Sequence, residues 1–168
     1  GETTVAWALI RSANATSVQI VQQIGPDRVI DTARRLGISS PLQPVPSIAL
    51  GSSEITMMDL VTAYGTIANS GLRIEPTFIT RIVDRNTGQT LYRYRPNPTP
   101  AVDPIHAYTI TRLMENVVNR GTGYAVRRAG FTGTAAGKTG TTNDNTDAWF
   151  TGFTPKQVTS VWIGFDSR

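Results

Sequence analysis

Apolar residues recur at helical spacing through the first 70 positions, again over 104–118, and give way to β-prone alternation after residue 134. Residues 3–11 read as a helix with Val5, Ala8 and Leu9 on one face, and a second helix carrying Val18, Val21 and Ile24 follows the polar break Ser12-Ala13-Asn14. Pro26 and Gly37 bracket a third helix lined by Val29, Ile30, Ala33 and Leu36. Proline suits the first turn, where its missing N–H has no partner to lose, and glycine suits the position just past the end. Residues 39–47 contain Pro41, Pro44 and Pro46 and predict a loop. Thr56 with Asp59 three positions on resembles a capping box with Asp in place of Glu. It opens a buried helix with the stripe Met57, Leu60, Val61, Tyr64, Ile67 and Ala68, which ends at Asn69-Ser70-Gly71.

Residues 77–84 and 89–95 are β-rich and flank Asn86-Thr87-Gly88, which predicts a hairpin ended by Pro96, Pro98 and Pro100. Asp103-Pro104 opens a further helix in which Ala107, Ile110, Leu113, Met114, Val117 and Val118 share a face, closed by Gly121 and Gly123. Three strands follow, over 134–142, 148–153 and 158–164, joined by Asn/Asp and Thr-Pro turns. Helices first and a strand meander after them predict an α+β fold, an antiparallel sheet packed against a helical part made from residues 3–70 and 104–128.

Composition narrows the chemistry. The 168 residues suffice for one domain with a real core, and no apolar run reaches the length of a membrane span. With no Cys and a single His, His106, there is no disulfide, no thiolate metal site and no Cys nucleophile, and a Ser/His/Asp triad is disfavoured. The net charge of +4 comes from 14 scattered Arg and two Lys, a mildly cationic surface rather than a nucleic-acid stripe. No signal peptide or initiator Met is present, and Gly1 opens onto a helical pattern, so a piece of a longer chain is expected. No cofactor and no metal is called for.

The densest chemical signal is Gly137-Lys138-Thr139-Gly140-Thr141-Thr142. A phosphate loop needs four residues between its glycines and a helix after its Lys. Gly133 and Gly137 are separated by three, and the residues after Lys138 are β-prone. The alternative puts Lys-Thr-Gly on an exposed strand beside a pocket, where Lys supplies positive charge, the hydroxyls bind a carboxylate and Gly admits the substrate to the backbone. Ser12-Ala13-Asn14 is the one Ser-x-Asn in the chain, and it lies upstream in the order that penicillin-binding proteins and serine β-lactamases require.

On these residues the chain strongly resembles the transpeptidase domain of class A, bifunctional penicillin-binding proteins. Further matching stretches are Leu50-Gly51-Ser52 leading to Thr56, Ala63-Tyr64 with Ala68 to Gly71, Gly121-Thr122-Gly123, Gly137 to Asn143, Asp147 to Pro155, and Val161 to Gly164. The resemblance implies a serine D,D-transpeptidase that acylates its serine with peptidoglycan stem peptides, binds β-lactams, and faces the extracytoplasmic side of the bacterial membrane. It implies a glycosyltransferase domain and a membrane anchor as partners in the parent protein, and no nucleic acid. Ser12 matches the S-x-N serine, expected to relay protons between the S-x-x-K lysine and the leaving group or to lie in hydrogen-bond reach of both, and Asn14 the amide that holds the acyl peptide. Lys138 matches the lysine that bonds the Ser12 hydroxyl, and Thr139, Gly140 and Thr141 the substrate strand. The two threonines there take the terminal carboxylate, and the Thr141 N–H gives one oxyanion donor.

The family's S-x-x-K nucleophile motif has no match: three positions before Lys138 and Lys156 stand Ala135 and Phe153. The expectation is therefore a partial domain over 1–168, without the N-terminal strands, nucleophile helix and C-terminal helix of the family, and inactive and prone to expose apolar sheet surface when isolated. A related carboxypeptidase or β-lactamase and a non-enzymatic phosphate-binding or sensor module are the competing readings. Trp149, Phe150, Phe153 and Trp162 are assigned to a sheet-face core, and His106 to helix surface. Arg34, Arg35, Arg127 and Arg128 are assigned to exposed helix faces, the latter pair close enough to the strand to face an anionic glycan. Asp144 and Asp147 are assigned to an Asn/Asp turn rather than to a metal.

Overall fold

Helices fill most of the chain up to residue 128 and an antiparallel sheet follows, in a computed structural model that describes residues 3–142 and 146–165. The helices are α1 (Val5–Arg11), α2 (Asn14–Ile24), α3 (Pro26–Leu36), α4 (Met57–Ala68), α5 (Pro104–Arg120) and the single turn α6 (Ala125–Arg128). Their starts follow the sequence signals. Thr56 Oγ1 accepts from the Asp59 N–H at 3.1 Å, Asp103 accepts from the Ile105 N–H at 2.7 Å, and Pro26 and Pro104 stand at first helical positions. The capping box is only half formed. Asp is one methylene shorter than Glu, and the Asp59 carboxylate turns instead to the Ser39 hydroxyl and to the N–H and hydroxyl of Ser40. Burial alone would raise the Asp59 pKa, but those hydrogen bonds outweigh it and hold the carboxyl at about 2.

The large sheet is β5 (Ala136–Thr141), β6 (Asp147–Phe153) and β7 (Val158–Gly164), in that order and antiparallel throughout. Register puts Ala136, Lys138 and Gly140 opposite Phe153, Thr151 and Trp149, and these in turn opposite Val158, Ser160 and Trp162, all on one face. That face meets the helices. Ala136, Phe153 and Met114 form a buried cluster with Leu9, Tyr64, Ile67, Ile110 and Val158 against it, and the Tyr64 ring meets Phe153 edge-on with centroids 6.5 Å apart. Val117 and Val118 of α5 are fully buried. On the opposite face Val161 and Ile163 are exposed, as expected for apolar sheet surface, while on the helix-facing side Trp149 and Trp162 are half-buried beside each other rather than core.

Several expectations are corrected. Val5 is exposed; Ala8 and Ile10 take the inward positions on α1, with Leu9 half-buried. On α4 the most buried residues are Asp59, Ala63 and Thr66, while Met57 is exposed. The hairpin is shorter than predicted, β2 (Arg81–Val83) against β3 (Thr90–Arg93), and exposed along its length. Residues 46–50 close a 3₁₀ turn within and beyond the predicted loop, and β1 (Leu72–Arg73) pairs with β4 (Thr99–Pro100) in a two-residue ladder that periodicity does not signal. Three of the arginines are more than surface charge. Arg34 donates to the carbonyls of Ile38 and Ser40, Arg35 to that of Ala101, and Arg127 to those of Phe131 and Gly133. Asp147 is the first residue of β6, opposite Gly164, rather than part of the turn, with Thr142, Thr146 and the Trp162 indole donating to it; Asp144 and Asn143 lie outside the described residues.

Candidate active site

β5 reaches its position because two glycines let it lie close to β6. A Cβ at Gly137 would stand 2.7 Å from the Phe150 ring and 3.0 Å from the Thr151 carbonyl oxygen, and one at Gly152 would stand 2.9 Å from the Ala136 carbonyl oxygen. Lys138 therefore projects from the helix-facing side of an edge strand, half-buried, toward the end of α1.

That end is built by Ser12, whose backbone is left-handed at φ 56° and ψ 49°. The Ser12 N–H donates to Leu9 and the Ala13 N–H to Ala8, the paired bonds of a Schellman cap, so α1 stops and the Ser12 hydroxyl turns out of the helix. Lys138 Nζ donates to Ser12 Oγ at 2.8 Å and to the Thr139 carbonyl at 2.9 Å, with a longer approach of 3.5 Å to Thr139 Oγ1. Two residues 126 positions apart thus share a hydrogen bond. Burial pushes the Lys138 pKa down, because the ammonium loses hydration.

Thr139 and Thr141 share the opposite face of β5, and the Thr139 hydroxyl lies 2.7 Å from that of Thr122, in the loop after α5. Gly140 lies against Trp149, where a Cβ would be 3.2 Å from the Trp149 Cβ. Asn14 is the first residue of α2, two positions beyond Ser12. Among the described residues neither its side chain nor the Thr141 hydroxyl bonds to the rest of the set. The strand context of Lys138 is that of the Lys-Thr-Gly reading and not of a phosphate loop, whose lysine opens a helix. No group of three or more potential metal ligands occurs among the described residues.

The family model of the penicillin-binding protein transpeptidase domain matches residues 1–165. This chain belongs to that family. The transpeptidase-domain chain is 41% identical over 172 residues to penicillin-binding protein 1A of Neisseria meningitidis (strain Z2491), covering 99% of itself and 21% of that protein. It is 36% identical over 190 residues to penicillin-binding protein 1A of Rickettsia bellii, covering 99% of itself and 24% of that protein. It thus spans less than a quarter of the length of these curated relatives. Its fold superposes on penicillin-binding protein 1A from Haemophilus influenzae with a TM-score of 0.91 over 98% of this chain and 30% of that one, at 23% identity. The resemblance to the class A transpeptidase domain and the α+β fold that came with it are borne out.

Thr122 has no site role in the sequence reading. Its flanking glycines mark a helix end and the triplet is one of the stretches matching the family, but its contact with Thr139 arises from the packing of α5 on β5.

Proposed function

We propose that this chain supplies the Ser-x-Asn and Lys-Thr-Gly-Thr walls of a peptidoglycan D,D-transpeptidase site, extracytoplasmic in the parent protein, that also binds β-lactams. Residues 1–168 form a partial domain in this reading, and the nucleophilic serine comes from sequence outside them, because neither lysine has a serine three positions before it. A glycosyltransferase domain and a membrane anchor accompany it in the parent; among the described residues here no helix is long and apolar enough to cross a membrane. The observation that carries the reading is the 2.8 Å bond from Lys138 Nζ to Ser12 Oγ.

In the reaction the nucleophile's Oγ bonds to the carbonyl carbon of the penultimate D-Ala. Its proton passes by way of the S-x-x-K lysine outside this chain and the Ser12 hydroxyl, which Lys138 orients, to the leaving D-Ala nitrogen, and the C–N bond breaks. An amine of a second stem then attacks the acyl-serine, losing its proton along the same route as the ester bond opens. Lys138, donating to Ser12 Oγ at 2.8 Å and to the Thr139 carbonyl at 2.9 Å, suits that orienting role and adds positive potential to the site. Asn14 holds the acyl peptide, Thr139 and Thr141 take the terminal carboxylate with Gly140 between them, and the Thr141 N–H faces the oxyanion.

The test is a double-mutant cycle in the longer protein that carries the nucleophile, read by covalent labelling with a fluorescent penicillin. Ser12→Ala and Lys138→Ala are expected to act as one unit, so that the double variant loses little more than either single one. The 168-residue chain alone is expected to remain unlabelled. Additive losses in folded variants, or normal labelling of Ser12→Ala, would reject the relay.

A further inference from the structure

We propose that Thr122 is a positioning residue for carboxylate recognition: its hydroxyl donates to Thr139 Oγ1 and so aims the Thr139 proton into the site. This rests on the transpeptidase reading of the same site and adds to it a residue from outside its two motifs.

A threonine hydroxyl has one proton and two lone pairs. Thr139 Oγ1 is approached by the Lys138 ammonium, which only donates, at 3.5 Å, and by Thr122 Oγ1 at 2.7 Å. In the Thr122–Thr139 pair one hydroxyl gives its proton to the other. If Thr139 gives, its single proton is spent inside the protein and a substrate carboxylate meets lone pairs. If Thr122 gives, both acceptor positions of Thr139 are filled and its proton is left for the carboxylate. A bound anion selects the second arrangement, and a chain of two hydroxyls strengthens the outer bond by polarisation.

Thr122 is held where it must stand for this. Its N–H donates to the Ile10 carbonyl at 3.2 Å, and the N–H groups of Gly121 and Gly123 both return to the Val117 carbonyl, at 3.0 and 3.1 Å. The residue is thereby tied on one side to the end of α1, two positions before Ser12, and on the other to α5. Its own side chain is exposed, so its substitution removes a hydroxyl at the site and leaves the buried core untouched.

The experiment compares wild type, Thr122→Val and Thr122→Ser in the longer protein. Acylation rates are measured with a fluorescent penicillin bearing its free carboxylate and with the methyl ester of the same compound. Thr122→Val keeps the shape and is expected to slow acylation by the acid about five- to tenfold, the effect of one neutral hydrogen bond, and to leave the ester within about twofold. Thr122→Ser is expected to recover most of the loss. Equal slowing of acid and ester, or no slowing of either, would overturn the proposal while leaving the transpeptidase reading intact. A wild type that neither compound labels would overturn both.

Discussion

Gly121→Ala isolates what close packing beside the site contributes, because the backbone conformation there is ordinary. With φ −115° and ψ −153° Gly121 lies in extended space that any L-residue adopts, so alanine brings no torsional strain. The added Cβ, however, would stand 2.5 Å from the Ile10 carbonyl oxygen and 2.9 Å from the Val117 Cα, both backbone atoms of packed helices. Restoring a 3.4 Å contact to Ile10 requires α1 and the end of α5 to separate by about 0.9 Å. Overpacking of this kind costs about 1–3 kcal/mol. The displaced bond from the Thr122 N–H to Ile10 adds about 1 kcal/mol. Together these give about 2–4 kcal/mol, which lowers the hydrogen-exchange protection of globally exchanging amides by about 30- to 700-fold. The assay is native-state exchange in the longer protein, followed by mass spectrometry on peptides spanning Val117 and Val118 of the buried face of α5. Trimming Ile10 to Val in the same background is not expected to rescue, since the nearest obstacle is the Ile10 carbonyl oxygen and valine keeps a γ-methyl like the one that would stand 2.9 Å from the new Cβ. A protection loss under about threefold, or full rescue by Ile10→Val, would refute the steric account.

Two further outcomes follow from the caps and the buried carboxylate. Asp59, at about 2 in the folded state against an ordinary 3.8, favours folding when ionised. Its contribution, at most about 2 kcal/mol, is whole above roughly pH 4 and fades as pH falls through 2, so the urea-midpoint gap between wild type and Asp59→Asn is expected to narrow over that window. Ser12→Gly and Ser70→Gly are each expected to leave stability unchanged or raise it by up to about 1–2 kcal/mol, because both serines are left-handed, but only Ser12→Gly should abolish penicillin labelling.

The parts of the fold that the sequence makes legible are those fixed by local rules. Thr56, Asp103, Pro26, Pro104 and Gly37 mark helix ends where caps and φ limits act within a few residues, and the meander over 134–164 follows alternation. The ladder of Leu72–Arg73 with Thr99–Pro100 depends on a chain reversal of more than twenty residues. It is anchored where the Ala101 N–H donates to the Gly71 carbonyl, a tertiary contact with no periodic trace. The hairpin strands are exposed along their length and gain little from extending the pairing, whereas β-propensity counts every Val, Ile and Tyr in 77–95 alike. At the site, the two motifs are legible and their 2.8 Å meeting is not, since the distance is set by α1 and β5 both packing on α5.

Among the described residues four helices end in the same pair of Schellman hydrogen bonds, and the residue placed at the left-handed position differs among them. After α3 and α6 it is glycine, Gly37 at φ 110° and Gly130 at φ 91°, the residue that adopts this conformation without a Cβ clash. After α1 and α4 it is serine, Ser12 at φ 56° and Ser70 at φ 54°. A left-handed serine costs about 1–2 kcal/mol that glycine would avoid. The cap alone gives no reason to bear that cost, since glycine makes the same two backbone bonds. For Ser70 the described contacts offer no compensation, and it is followed by Gly71, itself left-handed at φ 85°. For Ser12 the compensation is on the opposite strand: its hydroxyl presents to Lys138, at 2.8 Å, an acceptor that glycine lacks, and the left-handed exit from α1 turns that hydroxyl toward β5. Local strain and the lysine contact therefore belong to one device, in which the helix end aims Ser12 and the half-buried ammonium holds it there.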